Sequence, residues 1–256
     1  MSDLRNIKLL VAFDGTNYAG WQKQKSAKTI QGVIEEKIQV MTGEDVCLHG
    51  AGRTDAGVHA LGMVANFLTS SGIPCQGFLK GMNSMLPADI RLLHVVDAPA
   101  DFHARRSAKG KTYLYHVTTD PVQVPTERLY ATHVYEKLVL PAMEKGLALL
   151  SGTHDFSSFE AAGSRETKGN TTGRGAVRTL FEVSCAMDQS TGRLQFTCKG
   201  DGFLRHMVRN IVGTILEVGK GKLAPEDISE ILAMKDRSAA GPTAPPQGLF
   251  LQQVHY

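Results

Sequence analysis

The chain has 256 residues, 42% hydrophobic and 21% charged, which is ordinary for a globular protein and leaves room for one large domain or two small ones. A formal net charge of +3 permits an acidic partner such as nucleic acid without demanding one. Residues 1–10 carry Asp3, Arg5 and Lys8 with no apolar signal core, and no stretch approaches the roughly 18 apolar residues of a membrane span, so a cytoplasmic protein is expected, neither secreted nor membrane-bound.

In chain order, residues 7–13 (IKLLVAF) are an apolar, strand-forming run stopped by the turn sequence Asp14-Gly15-Thr16-Asn17. Tyr18, Trp21, Gln22 and Gln24 follow in a loop, where the rings are expected to pack on the body of the domain. Thr29 stands where a helix cap would, and Ile30, Val33, Ile34, Ile38 and Met41 recur at helical spacing until Gly43. Residues 46–48 and 58–69 read as strands flanking the loop 50–60. Pro74 opens a second helix through Phe78, Leu79, Met82 and Met85, and residues 90–96 read as a strand.

A similar order follows. Residues 111–119 alternate and are rich in strand formers, residues 140–150 have helical spacing, and residues 176–187 and 193–198 read as strands around Gly192. The apolar positions Leu204, Met207, Val208, Ile211, Val212, Ile215 and Leu216 form a wide stripe on a helix spanning 203–218. A short helix over 225–234 and a strand over 249–254 close the chain. The fold class is α+β: two split βαβ halves, 1–104 and 105–256, whose antiparallel sheets join edge to edge with helices on one face and the other face open. The connection 159–174, polar with three glycines, reads as a mobile surface loop. Residues 97–111 hold Phe102, His103, Arg105, Arg106, Lys109 and Lys111. Such a run is by default a solvated face, but its place between the halves favours phosphate contact.

The loop 50–60 organises the chemistry. It places Asp55 two residues after Arg53 and four before His59, among glycines at 50, 52 and 57. Asp-x-Gly alone is common turn chemistry; the two further polar groups make Asp55 a candidate for catalysis. An isolated carboxylate acts as base or nucleophile only if it is ionised and aimed, which calls for a cation. Arg209, interrupting the apolar stripe of its helix, is the candidate; its spacing is equally compatible with reaching to water. Lys109-Gly110-Lys111-Thr112 mimics the end of a phosphate-binding loop, but Arg105 stands where that motif needs glycine. The cysteines at 47, 75, 185 and 198 have no metal or C-x-x-C spacing and read as reduced, buried thiols. No cofactor or metal is expected.

Six segments carry a resemblance: 14–22 (DGTNYAGWQ), 52–59 (GRTDAGVH), 101–105 (DFHAR), 111–115 (KTYLY), 154–156 (HDF) and 203–213 (FLRHMVRNIVG). Together, over nearly the whole chain, they resemble the tRNA pseudouridine synthase A family. The stretch 161–175 departs from its pattern, being longer and richer in Gly and Thr.

The resemblance implies the pseudouridine synthase fold, two ferredoxin-like halves, and isomerisation of uridine to pseudouridine at tRNA positions 38 to 40 by a cytoplasmic homodimer without cofactor. It makes Asp55 the catalytic carboxylate, attacking covalently or removing a ribose proton to give a glycal; the residues do not choose between the two. It makes Arg209 the ion partner of Asp55 and Tyr113 the ring that stacks on uracil, where spacing alone reads a core strand aromatic. Arg53 would fill the space left by a flipped base, Leu249 would line the uracil pocket, and Phe102, His103, Ala104, Arg105 and Arg106 would touch tRNA. Two rivals use the same residues. A silent RNA-binding protein of two RRM-like halves lacks an RNP1-like strand here, and a nucleoside hydrolase would recruit a second carboxylate or a metal.

Overall fold

The computed structural model describes residues 4–163 and 175–256. In chain order the elements are β1 (Arg5–Phe13), α1 (Ile30–Thr42), β2 (His49–Gly50), β3 (His59–Thr69), α2 (Cys75–Met85), β4 (Ile90–Ala98) and β5 (Gly110–Thr118). They continue with β6 (Thr132–His133), α3 (Leu140–Ala148), β7 (Gly152–Asp155), β8 (Val177–Asp188), β9 (Arg193–Gly200), α4 (Met207–Gly219), α5 (Asp227–Met234) and β10 (Leu249–His255). The fold is α+β with mostly antiparallel strand pairing. Two compact units emerge, Met1–Lys109 with Phe250–Tyr256, and Gly110–Leu249.

In the first unit β1 lies between β3 and β4, antiparallel to both, β2 pairs with β3, and β10 adds in parallel to the start of β3 through Phe250 and Leu251 opposite His59 and Ala60. The period-2 pattern of β1 buries Ile7, Leu9, Val11 and Phe13 on one face. Helix α1 begins at Thr29, whose hydroxyl accepts from the Gly32 amide, and stops at Gly43, whose φ of 75° lets the chain turn away left-handed. Ile30, Ile34 and Ile38, one turn apart, bury its inner face. Strand β3 is buried along both faces except at Leu61 and Leu68, contrary to the open face expected. Connecting segments, described below, cover the side the helices leave.

The second unit orders its strands β5-β9-β8-β7, all antiparallel, with β6 parallel to β5. Helix α3 packs on α4 and on β8.

Several boundaries differ from the sequence reading, each for a local reason. Residues 46–48 are not a strand; pairing begins only at His49. Helix α4 starts at Met207 rather than at 203, because His206 turns the chain with a φ of 62°; Leu204 is buried without being helical, so its apolar character extended the apparent stripe. Helix α5 starts at Asp227, and the short β6 and β7 carry too few residues to show a period. The expected mobile loop falls mainly on 164–174, outside the described residues; its first residues, Phe159 to Ala161, are buried. All four cysteines are free, but only Cys185 and Cys198 are buried, while Cys47 is exposed and Cys75 half-buried.

Candidate active site

The backbone of the Asp55 loop is gripped from one side by the turn after β1. Thr54 accepts from the Trp21 amide at 3.1 Å, and the Asp55 carbonyl accepts from the Val58 amide at 3.2 Å, closing a tight turn in which Gly57 takes a φ of 76°. Two glycines make the approach possible. A Cβ on Gly15 would stand 2.0 Å from the Val58 carbonyl oxygen, and one on Gly20 would stand 2.4 Å from that of Thr54. His59, 1% exposed, locks the far end: the Gly15 amide donates to its Nδ1 at 3.1 Å, and its ring stacks on Phe250 with centroids 4.6 Å apart. Asp14 Oδ1 lies 3.1 Å from the same Nδ1. The Gly15 amide and Asp14 Oδ1 thus converge on Nδ1, and the same carboxylate oxygen accepts from the Thr16 amide and hydroxyl. The outcome is a half-buried Asp55 side chain on a backbone with little freedom. One residue earlier, the buried Thr54 hydroxyl has no hydrogen-bond partner among the described residues.

Trp21 and Tyr18 pack inward, 1% and 3% exposed. Gly50 is pressed on the Trp21 indole, 2.5 Å from a would-be Cβ, so no larger residue fits there.

Arg53 is exposed, yet it is held by a relay that the sequence reading missed. Its Nε donates to Gln22 Oε1 at 3.1 Å; Gln22 Nε2 donates to Gln31 Oε1 at 2.7 Å; Gln31 Nε2 donates to Glu35 Oε1 at 2.9 Å. Glu35 also accepts from the Leu48 amide, and its second oxygen pairs with Lys23 at 2.9 Å. Gln31 and Glu35 are buried polar residues on the apolar face of α1, and buried polar groups must find partners. Here the partners are the two loops that flank Arg53. The legible signal was Gln and Glu at core positions, four apart, between Ile30 and Ile38.

The basic segment is anchored through its backbone. The Asn6 amide donates to the carbonyls of Pro99 and Phe102, both at 2.8 Å; Asn66 donates to Asn6 Oδ1 at 2.9 Å and accepts from the Ala104 amide at 2.8 Å. Both asparagines are 3% exposed. Tyr256 donates its hydroxyl to the Ala104 carbonyl at 2.8 Å, and Lys8 Nζ lies over the rings of Phe102 and Tyr256 at 4.9 and 4.5 Å. Ala104 is thus a fully buried anchor, while the side chains of Arg105 and Arg106 remain exposed. Arg53, His103, Arg105 and Arg106 line one groove of about 310 Å³, with Gln22 and His49.

In the second unit Tyr113 lies on β5 opposite Cys198, 8% exposed, with the Phe203 ring edge-on at 5.0 Å and 78°. Arg209, in the first turn of α4, is half-buried. Its Nε donates to the Ala244 carbonyl at 2.7 Å, and the Ala244 amide returns a bond to the Arg209 carbonyl at 3.0 Å. That double tether holds the strand-like segment before β10 against α4. Close approach is again made by glycine: a Cβ on Gly213 would fall 1.7 Å from the Pro242 carbonyl oxygen. Leu249, 6% exposed, follows Gly248, whose would-be Cβ meets the Tyr115 ring at 2.7 Å. A hollow of about 410 Å³ elsewhere in this unit, lined by Tyr135, Leu138, Met187 and Leu194, contains none of the candidate residues. Among the described residues no group of three or more His, Cys, Asp or Glu could hold a metal, and no helix is long and apolar enough to cross a membrane.

Comparison with known proteins places these residues in a family. A family model described as tRNA pseudouridine synthase matches residues 9–105 and 147–256. The chain is 52% identical to tRNA pseudouridine synthase A 1 of Desulfotalea psychrophila over 253 residues, covering 99% of this chain and 100% of that protein. It is 46% identical to tRNA pseudouridine synthase A of Acetivibrio thermocellus over the same length and share, and 44% identical to that of Lacticaseibacillus casei over 254 residues, again 99% and 100%. With both matched segments spanning the Asp55 loop, the basic segment and α4, the chain belongs to the tRNA pseudouridine synthase family of isomerases.

Proposed function

We propose that this isomerase converts uridine to pseudouridine in the anticodon stem-loop of tRNA, at positions 38 to 40, with Asp55 as the catalytic carboxylate. The reaction breaks the bond from ribose C1′ to N1, turns the uracil, and joins C1′ to C5, with the C5 proton lost and a proton taken up at N1. The observation that carries the reading is the construction of the Asp55 loop. Backbone hydrogen bonds to Trp21 and Val58 and the His59 anchor leave the Asp55 carboxyl as its one half-buried acid. A carboxylate fixed in this way acts on a substrate atom without first ordering its own loop.

The other roles follow from the family motifs that these residues match. Arg209, its Nε already committed to Ala244, steadies the ionised carboxylate with the rest of its guanidinium. Tyr113 stacks on the uracil, with Phe203 holding its ring edge-on, and Leu249 lines the base pocket. A paired uridine leaves its helix at a cost of a few kcal/mol, and Arg53 takes its place. The Gln22–Gln31 relay supports this role, because a side chain already held outward loses less entropy when it enters the stem. The exposed Arg105 and Arg106, on a backbone fixed by Asn6 and Asn66, meet phosphates together with Phe102 and His103. The enzyme works in the cytoplasm as a homodimer.

Asp55→Ala tests the centre of this reading. The variant is expected to bind tRNA almost unchanged and to release no tritium from uridine labelled at C5; turnover like that of the wild type would remove the carboxylate from the mechanism. Pseudouridine mapping in tRNA from cells lacking the enzyme is expected to lose the signal at positions 38 to 40, and loss elsewhere instead would reassign the target.

A further inference from the structure

In the groove beside the Asp55 loop, His103 is paired with a residue that has no role so far, His49. The imidazoles of His49 and His103 lie one upon the other, with centroids 4.7 Å apart and planes 27° from parallel. They come from different segments, His49 from β2 at the entry to the Asp55 loop and His103 from the basic segment, so the stack is made by the tertiary fold. Both line the groove that holds Arg53, Arg105 and Arg106.

Two backbone amides fix the orientation of the His103 ring. The backbone amides of Arg105 and Arg106 both point at His103 Nδ1, at 3.1 and 3.4 Å, which occupies its lone pair and leaves the proton on Nε2. His103 is in turn held by its own amide, which donates to Ser107 Oγ at 3.1 Å. Burial, then the proximity of His49 and Arg106, lowers its proton affinity below that of an ordinary histidine, so the ring is neutral at physiological pH. His49 is exposed, and its Nδ1 lies 3.9 Å from Cys47 Sγ. A flat, uncharged ring backed by a second ring and flanked by arginines has the composition of a nucleobase platform beside a phosphate track. The groove, at about 310 Å³, is at the small end for ligand sites.

We propose that the His49–His103 stack is a second nucleotide subsite, on which an unpaired base of the RNA substrate rests while Arg105 and Arg106 hold its flanking phosphates. This inference rests on the proposed tRNA reaction for the identity of the RNA, and it adds a contact distinct from the reacting uridine. Base stacking tolerates any base, so the subsite contributes affinity and register without base specificity.

The test is equilibrium binding of a fluorescently labelled anticodon stem-loop RNA to the full chain carrying His49→Ala, His49→Phe or His49→Lys. His49 is exposed, so folding is not at stake. His49→Ala is expected to weaken binding by at least about fivefold, the lower end for loss of one stacked base. His49→Phe is expected to restore it, and neither change is expected to alter the dependence on salt. Among hairpins each carrying one abasic loop nucleotide, one is expected to bind the wild type and His49→Ala equally.

Restoration by His49→Lys but not by His49→Phe, with a changed salt slope, would make His49 a phosphate contact and overturn the platform. Unchanged binding in all three variants would overturn it as well. Tritium release by the wild type, measured alongside, reports the proposed reaction separately: an enzyme that turns over with indifferent His49 variants loses only this subsite.

Discussion

The two units hold their candidate residues with a different balance of means. In the first, buried side-chain amides and carboxylates grip loop backbones: Asn6 and Asn66 hold the basic segment, Gln31 and Glu35 hold the loops around Arg53, and His59 holds Gly15. In the second, backbone lies almost directly on backbone, with Gly213 and Gly241 letting the 241–244 segment press against α4, helped by Arg209 bonded to Ala244 and Arg237 bonded to Asn210 and Thr243. A hydrogen-bonded grip is directional and fails when one partner is left unsatisfied; a glycine contact fails when any volume is added. The difference teaches where each half is fragile. The first is fragile to lost polarity at its asparagines and Gln31 as well as to added volume at Gly15, Gly20 and Gly50, and the second chiefly to added volume.

That contrast is broken most severely by Gly213→Ala. The added methyl meets a backbone carbonyl that has no rotamer to escape to, so a loss of about 3 kcal/mol is expected. Denaturant unfolding measures it, and because Ala244 would move off Arg209, turnover should fall with it. A variant as stable and active as the wild type would show that the 241–244 segment yields freely.

Asn66→Ala probes the first unit in the same way. Removing the side chain strands the Ala104 amide and one end of Asn6, with an expected cost of about 2 kcal/mol. Hydrogen exchange at the Ala104 amide should quicken along with it, whereas global destabilisation with that amide still protected would show that the segment is held by other means.

Gln31→Ala sharpens the distinction between stability and positioning. It should cost about 1 kcal/mol in stability. Its functional signature is a raised KM for tRNA with kcat nearly kept, since Arg53 loses its orientation and Asp55 does not. An equal fall in kcat would tie the relay to the chemistry instead.

The smallest effect is a titration. His103 is lowered by burial, then by His49 and Arg106. With the folded value depressed, the neutral ring favours the folded state; that contribution is complete above the unfolded histidine value of about 6.5 and fades as pH falls through the lowered one. Ring-proton NMR should find its midpoint below that of an exposed histidine, and Arg105→Ala with Arg106→Ala should move it upward. An unmoved midpoint would leave desolvation and His49 as the causes.

Much of this was legible from the residues. The apolar period of α1 between Thr29 and Gly43, the alternation in β1, and the glycine punctuation around Asp55 each express local backbone chemistry, and local rules read them correctly. The start of α4 was misread because Phe203 and Leu204 continue an apolar pattern past a backbone turn at His206 that no periodicity records. The pairings of Asn6 with Asn66 and of Gln31 with Gln22 could not be read, because a polar residue on a strand or helix announces only that it needs a partner.

The sequence by itself determined the order of the elements, the acid on its glycine loop and the family motifs, since these depend on neighbours a few residues away. Tertiary structure alone decided that Gln31 steers Arg53, that α4 carries Ala244 on Arg209, and that His49 meets His103. Those contacts join residues tens of positions apart, and only the packing of the sheets and helices sets the distances at which a hydrogen bond or a ring stack can form.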